Sequence, residues 1–273
     1  MNLEWFVRQL EHPELTAKWL QRLGVRDPQR GAGDLADLAA NAGPEPLRTL
    51  AQLAGQFDAL LPRSPDAGMA LSNFERYVAA LPDPPSGLAR LVDRPRTVET
   101  LLQVFGTSQH LSDLLIRNPE LIDWLRAGAD RRDREALIEE LWGRICDEQA
   151  QEPPRLALRR FRLRETLRIG YNDIVRGFPL EVTTADLSHL ADACVEAAVR
   201  CARASQETRY GTPRRGDGRP AAFVVLGLGK LGGEELNYSS DIDLIFLYDE
   251  DGATSGVRSI TNAEFFARMS AEI

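Results

Sequence analysis

The stretch Val224 to Tyr248 reads VVLGLGKLGGEELNYSSDIDLIFLY, and the rest of the chain can be interpreted around it. A short apolar run, Phe223 to Leu228, leads into a glycine-dense turn. A brief polar segment follows, and then a second apolar run, Ile242 to Tyr248. Short apolar runs of β-branched and aromatic residues bounded by turn residues predict two β-strands.

Two aspartates, Asp241 and Asp243, stand at the start of the second run. Side chains two apart in a strand share a face, with Cα atoms roughly 7 Å apart. Two carboxylates that close repel each other unless a cation or a proton lies between them. Oxygen ligands of this kind suit Mg²⁺, which uses one or two carboxylates together with phosphate oxygens. The pair therefore predicts a magnesium site built from Asp241 and Asp243.

The neighbouring turn has the composition of a phosphate-binding loop. Gly229, Gly232 and Gly233 would let backbone N–H groups approach a phosphate. Lys230 is either a phosphate contact or a solvated turn residue. Ser239 and Ser240 either donate to phosphate oxygens or cap the turn. Together with the aspartates, these residues indicate nucleotide chemistry.

A competing interpretation comes from the same glycines. Gly227, Gly229 and Gly232 spell G-x-G-x-x-G after a strand, and Asp249 lies where a dinucleotide-binding unit places its ribose-binding acid. That unit requires a helix which packs on the sheet, and residues 234–240 are too few and too rich in turn formers to supply one. It also gives Asp241 and Asp243 no role.

The spacing Gly229, eleven residues, Asp241-Ile-Asp243 is similar to the G-x11-D-x-D motif of the nucleotidyltransferase superfamily. The phrase GKLGGEELNYSSDIDLIF resembles the signature of bacterial glutamine synthetase adenylyltransferase/adenylyl-removing enzymes. Two upstream phrases, FGTSQHLSDLLIRNPELIDWL and LRRFRLRETLRIGYNDI, resemble the same family. The resemblance covers roughly Thr97 to the end of the chain.

The resemblance implies an α+β fold. Residues 1–180 are expected to form a largely helical N-terminal region, in agreement with the helical spacing of apolar residues there. Residues 181–273 are expected to be the start of a nucleotidyltransferase-type mixed β-sheet domain. Members of the superfamily carry a third carboxylate on a later strand, and the sequence up to Ile273 offers no suitable candidate.

The family implies catalytic and metal-binding roles for Asp241 and Asp243, and nucleotide or phosphate binding by the glycine turn and its neighbours. It also implies glutamine synthetase as protein substrate, ATP, ADP and phosphate as small substrates, and a PII-type signalling protein as a regulator of the full-length chain. The first nucleotidyltransferase unit of the family resembles the adenylyl-removing half of the enzyme, which uses inorganic phosphate to cleave AMP from a tyrosine of glutamine synthetase and releases ADP. The resemblance therefore implies deadenylylation for this chain, and the residues alone leave both directions open. A catalytically silent interaction fragment is an open alternative.

Composition limits the other classes of function. Hydrophobic residues make up 43% of the 273, enough for a sizeable core, and the formal net charge is −8. Such an acidic chain lacks the basic surface of a non-specific nucleic-acid binder. No secretion signal opens the chain and no apolar run has membrane-spanning length, so we expect a cytoplasmic protein without membrane contact.

One local exception to the acidity is a basic stripe within residues 155–176. It carries seven arginines against Glu165 and Asp173: Arg155, Arg159, Arg160, Arg162, Arg164, Arg168 and Arg176. They form either a solvated helix face with i,i+4 pairs or a surface that guides phosphate or an acidic partner towards the site.

Overall fold

Several helices begin directly after a capping side chain. Asp27, Asp66 and Asp133 each precede a helix, and each carboxylate accepts a hydrogen bond from the backbone N–H three residues on, at 2.8–3.1 Å. These bonds satisfy donors that the first helical turn leaves unpaired.

The computed structural model describes residues 12–42, 46–127, 130–147, 149 and 152–273.

The described chain divides into two compact units. The first comprises the described residues up to 127 together with Gly170–Gly177, and the second comprises Asp130–Ile169 and Phe178–Ile273. The first unit is helical, with buried side chains such as Phe57 and Phe74 in edge-to-face contact at 5.5 Å between ring centroids. Its elements are α1 (Pro13–Arg22), α2 (Pro28–Ala40), α3 (Pro46–Leu60), a 3₁₀ turn (Leu61–Arg63), α4 (Ala67–Ala79), α5 (Pro84–Val92), α6 (Pro95–Phe105), α7 (Gln109–Arg117) and α8 (Leu121–Ala127).

The second unit combines long helices with short strands. The elements of this unit are α9 (Arg134–Ile145), α10 (Pro154–Ile174), α11 (Leu180–Tyr210), β1 (Pro213–Arg215), β2 (Phe223–Gly227), α12 (Gly229–Gly232), β3 (Leu244–Tyr248), β4 (Gly252–Thr254) and α13 (Asn262–Glu272). Residues 170–174 of α10 belong to the first unit. A long run of helices precedes strands that pair antiparallel, which confirms the α+β class.

The described strands form two antiparallel pairs, β1 with β4 and β2 with β3. In the second pair Phe223 lies opposite Tyr248 and Gly227 opposite Leu244. One face of this pair packs on α13, where the rings of Phe223 and Phe266 stack at 5.2 Å. This packing anchors the end of the β2–β3 pair that contains Tyr248, and the two aspartates precede the other end of β3.

The expected boundary near residue 180 does not coincide with this physical division. Leu141 of α9 and Phe161 of α10 are fully buried in the same core cluster as Leu231 and Leu236 of the glycine-turn region. Two helices that precede residue 180 therefore pack with the residues that follow it. The boundary between residues 1–180 and 181–273 stays a prediction about sequence-level domains.

The segment 208–220 differs from the loop that its composition suggests. Helix α11 continues to Tyr210, and β1 then pairs with β4, with Pro213 opposite Thr254. Asn262 secures this pair, since its side-chain amide donates to the carbonyl groups of Arg214 at 2.9 Å and Glu250 at 3.0 Å. Because β1 pairs with β4 and is also bound by Asn262, residues 213–215 are an integral part of the second unit and not a mobile loop.

A charged cluster lies inside the second unit. Glu165 and Arg168 have no exposed surface, and Arg168 Nε donates to Glu165 Oε2 at 2.6 Å. Arg164 also binds Glu165 at 2.7 Å. Asp186 is also buried, and the partly exposed members of the cluster are Arg131, Arg132 and Glu140. Buried charges are tolerated only when paired in this way.

Burial lowers the pKa of Arg132 below its ordinary value, and the charges of Arg164 and Arg168 add to that shift while Glu165 opposes it. The cluster is therefore crowded with positive charge, and Glu165 is central to its balance.

None of the helices in the described part of the chain is long and apolar enough to cross a membrane.

Candidate active site at the glycine turn

The turn after β2 requires glycine at two positions for different reasons. Gly229 has φ of +54°, a left-handed conformation that glycine adopts without strain. Gly232 lies so close to β2 that a Cβ atom there would come within 2.5 Å of the Gly227 carbonyl oxygen. Leu231, between them, is buried and anchors the turn in the core.

The structure rules out the dinucleotide-binding interpretation. That unit needs two parallel strands joined by a helix that packs on the sheet. Here α12 is a single turn of four residues, and the strands on either side of it, β2 and β3, are antiparallel. Asp249 instead accepts a hydrogen bond from the Ala222 backbone at 3.0 Å and pairs with Arg215. The Rossmann-type prediction is therefore wrong.

The two aspartates precede β3, which begins at Leu244 and not at Ile242. The carbonyl of Asp243 accepts a hydrogen bond from the Leu228 N–H at 2.9 Å, and this bond continues the β2–β3 ladder by one step. The Asp243 carboxylate lies 3.9 Å from where a Cβ of Gly229 would be. Asp243 thus stands beside the glycine turn. Both aspartates are exposed, and neither takes part in an ion pair within the described residues.

Lys230 and Ser240 meet across the turn. The Lys230 ammonium donates to Ser240 Oγ at 3.4 Å, and the Ser240 hydroxyl donates to Asn237 Oδ1 at 2.7 Å. Asn237 Oδ1 also accepts from the Ser239 backbone N–H at 3.1 Å. The structure therefore brings Lys230 and Ser240 together, whereas Ser239 contributes a backbone hydrogen bond that shapes the turn. Gly233 ends α12 with φ of −92°, a conformation open to any residue.

A cleft of about 620 Å³ opens beside Asp241. Helices α10 and α11 line it with mostly apolar side chains, and the segment before β3 contributes Asn237, Ser240 and Asp241. Its volume falls within the usual range for small-molecule sites, which are mostly apolar with a few polar groups. Arg162 and Thr166 are the polar contribution from α10.

Two exposed carboxylates beside a glycine turn fit the oxygen chemistry of a hard divalent cation. Within the described residues no group of three or more His, Cys, Asp or Glu side chains is arranged to hold a metal. The metal site at Asp241 and Asp243 stays a prediction; two carboxylates would leave coordination positions for phosphate oxygens.

Alanine substitutions in the turn should separate the two glycine requirements. Gly232→Ala should lower the free energy of unfolding by about 3 kcal/mol, because its methyl group meets backbone and not a movable side chain. Gly229→Ala should cost about 1 kcal/mol, the penalty of the left-handed conformation. Gly233→Ala is the matched control, since its nearest contact would be an ordinary 3.6 Å. Urea denaturation of the three variants measures the order, and equal losses at Gly232 and Gly233 would contradict the close approach.

A family model described as glutamate-ammonia ligase adenylyltransferase matches residues 98–273, more than half of the chain. The chain belongs to this family. Its similarity to curated relatives agrees with this family assignment. A protein of Pseudomonas aeruginosa named bifunctional glutamine synthetase adenylyltransferase/adenylyl-removing enzyme is 39% identical over 227 residues, covering 81% of the chain and 23% of the relative.

Relatives of the same name in Pseudomonas putida and Shewanella frigidimarina are 43% and 39% identical, covering 61% and 63% of the chain and 18% of each relative. The chain spans about a fifth of the length of the curated relatives it matches. The resemblance predicted from the glycine–aspartate phrase is confirmed at the level of the adenylyltransferase family.

The matched region of this adenylyltransferase-family chain contains every candidate site residue and the whole cleft. From the sequence, Arg162 was only one of seven arginines in the basic stripe, and Thr166 was not among the predicted site residues. A signal was present, because Leu158, Arg162 and Thr166 recur at intervals of four and so share one helix face.

Proposed function

We propose that the chain is the adenylyl-removing part of a bifunctional regulator of glutamine synthetase. In this reaction a phosphate oxygen attacks the phosphorus of an AMP group carried by a tyrosine. A new P–O bond forms as the bond to the tyrosyl oxygen breaks, and that oxygen leaves with the electron pair and takes up a proton. The products are ADP and the unmodified tyrosine.

The observation that carries the proposal is the hydrogen bond from Leu228 to Asp243, which places a carboxylate beside a glycine turn in a member of an adenylyltransferase family. Asp241 and Asp243 would hold the Mg²⁺ ion. When bound, the ion neutralises charge on phosphoryl oxygens and stabilises the leaving oxygen.

The residues around the aspartates have complementary roles. Gly229, Gly232 and Gly233 would leave space for phosphate near the backbone, while Lys230 and Ser240 would donate hydrogen bonds to its oxygens. Positioning of this kind supplies much of the acceleration in phosphoryl and nucleotidyl transfer. The relatives' double name includes removal as well as attachment of AMP, so both directions are measured in the test below. A PII-type regulator stays a prediction.

A direct test is to incubate the chain with adenylylated glutamine synthetase, MgCl₂ and inorganic phosphate, and to measure ADP by chromatography. ADP should form only when phosphate and Mg²⁺ are both present, and EDTA should stop it. Pyrophosphate from ATP and unmodified glutamine synthetase would instead assign the chain to AMP attachment.

The two-carboxylate donor set favours one second candidate, a catalytically silent interaction fragment. This candidate predicts binding to glutamine synthetase without turnover in either direction and without Mg²⁺-dependent nucleotide binding. The same incubation, combined with a pull-down of adenylylated glutamine synthetase, distinguishes the two.

A further inference from the structure

The arginines of the basic stripe have different environments. Arg164 and Arg168 are buried in the charged cluster and paired with Glu165. Arg160 pairs with Glu152 at 2.8 Å. All three guanidinium groups are paired with carboxylates, two of them inside the core, so the stripe is not one continuous phosphate-guiding surface.

Arg162 differs from these three. It is exposed, it lines the cleft beside Asp241, and no carboxylate among the described residues forms an ion pair with it. An unpaired guanidinium at the wall of a mostly apolar cleft has hydrogen-bond donors without a protein acceptor of matching charge. A ligand anion would satisfy them.

The shape of the cleft agrees with such a ligand. Leu158, Arg162 and Thr166, at successive turns of α10, line the cleft together with Ser240 and Asp241 of the segment before β3. The cleft lining therefore includes both a cationic group and a carboxylate. A nucleotide or phosphate bridging a metal ion and an arginine needs this arrangement of charge.

The charge of Arg162 also reaches the residues of α11. Burial raises the pKa of the Cys194 thiol to about 11, and the positive charge of Arg162 acts in the opposite direction. Cys194 lines the same cleft. A thiol there can report on occupation of the cleft.

We propose that Arg162 binds a phosphoryl group of the substrate within the cleft and, with Thr166 beside it, orients that group towards the ion held by Asp241 and Asp243. This assignment rests on the proposed function. The guanidinium suits the role because its planar fork binds two phosphate oxygens at once. The phosphoryl group belongs either to inorganic phosphate or to the nucleotide.

The test compares Arg162→Ala and Arg162→Lys with the matched control Arg159→Ala, which removes an exposed arginine from the same helix outside the cleft. Equilibrium dialysis of the 273-residue chain with Mg-ADP, and separately with inorganic phosphate, gives the dissociation constants. Loss of a charge-assisted hydrogen bond should weaken binding by about 10- to 100-fold in Arg162→Ala. Arg162→Lys should recover part of it, and Arg159→Ala should bind like the parent.

The two ligands separate the sources of the phosphoryl group. Weaker binding of inorganic phosphate assigns Arg162 to the attacking phosphate, and weaker binding of ADP alone assigns it to the nucleotide. Alkylation of Cys194 at pH 9, in a variant with Cys146 and Cys201 replaced by serine, locates the ligand. The ligand should protect Cys194 in the parent and not in Arg162→Ala.

These measurements distinguish a failure of the Arg162 proposal from a failure of the proposed function. If Mg-ADP and inorganic phosphate each bind the parent and Arg162→Ala equally well, the role of Arg162 is overturned and the proposed function stands. If the parent binds neither ligand, the proposed function fails and the role of Arg162 fails with it.

Discussion

Replacing Asp241 or Asp243 by asparagine should lower Mg²⁺-dependent ADP formation by about 1,000-fold, because each change removes a carboxylate ligand whose metal contributes several kcal/mol of transition-state stabilisation. The fold should be unaffected. Both side chains are exposed, and within the described residues neither forms an ion pair whose loss would weaken the fold. Initial rates and thermal denaturation of the same preparations measure the two effects.

Asp251→Asn is the matched control for these variants. Asp251 is also an exposed carboxylate, beyond the far end of β3, and accepts a hydrogen bond from the Tyr248 hydroxyl at 2.9 Å. This variant should retain parental activity. Full activity in both Asp241→Asn and Asp243→Asn would show that the pair holds no catalytic metal.

Glu165→Gln should be the most destabilising of the conservative changes considered, with a loss of about 3–5 kcal/mol in the free energy of unfolding. The substitution keeps the size of the side chain but removes the negative charge that faces Arg164 and Arg168. Arg168 has no access to solvent, so water cannot compensate for the missing charge. Urea denaturation followed by far-UV circular dichroism measures the loss in the transition of the second unit.

The appropriate comparison is Glu196→Gln, which breaks an exposed i,i+4 pair with Arg200 at 2.7 Å. Exposed pairs contribute about 0–1 kcal/mol, so this variant should differ little from the parent. Similar losses in both variants would mean that the cluster around Glu165 is solvated in solution.

The sequence was informative where local signals and tertiary packing agreed. The apolar run after Ala222 became β2. The closeness of Asp243 to the glycine turn followed from the short connection between two strands. The α+β class was predicted from the family resemblance that this stretch carries.

The sequence was less informative where distant residues decide the outcome. β1 and β4 have three residues each, and Pro213–Arg215 has little β propensity, so their pairing depends on contacts such as those of Asn262. The burial of Arg168 was missed because arginine is rarely fully buried. Its partner Glu165 is a sequence neighbour, but its distant neighbour Asp186, 3.9 Å away, is visible only in the fold.

The buried charges have a consequence for the rotational setting of α10. Apolar and basic residues alternate around this helix, so hydrophobicity alone defines its inward side poorly. Arg168 meets Asp186 of α11, at 3.9 Å, only at one angle about the helix axis, and at that angle Arg162 lines the cleft. We therefore expect that a variant with Glu165 and Arg168 both replaced by apolar residues could gain stability while losing the orientation of Arg162. The buried pair would then determine the rotation of α10 about its own axis. Its main contribution would be to the orientation of the helix and not to the stability of the fold.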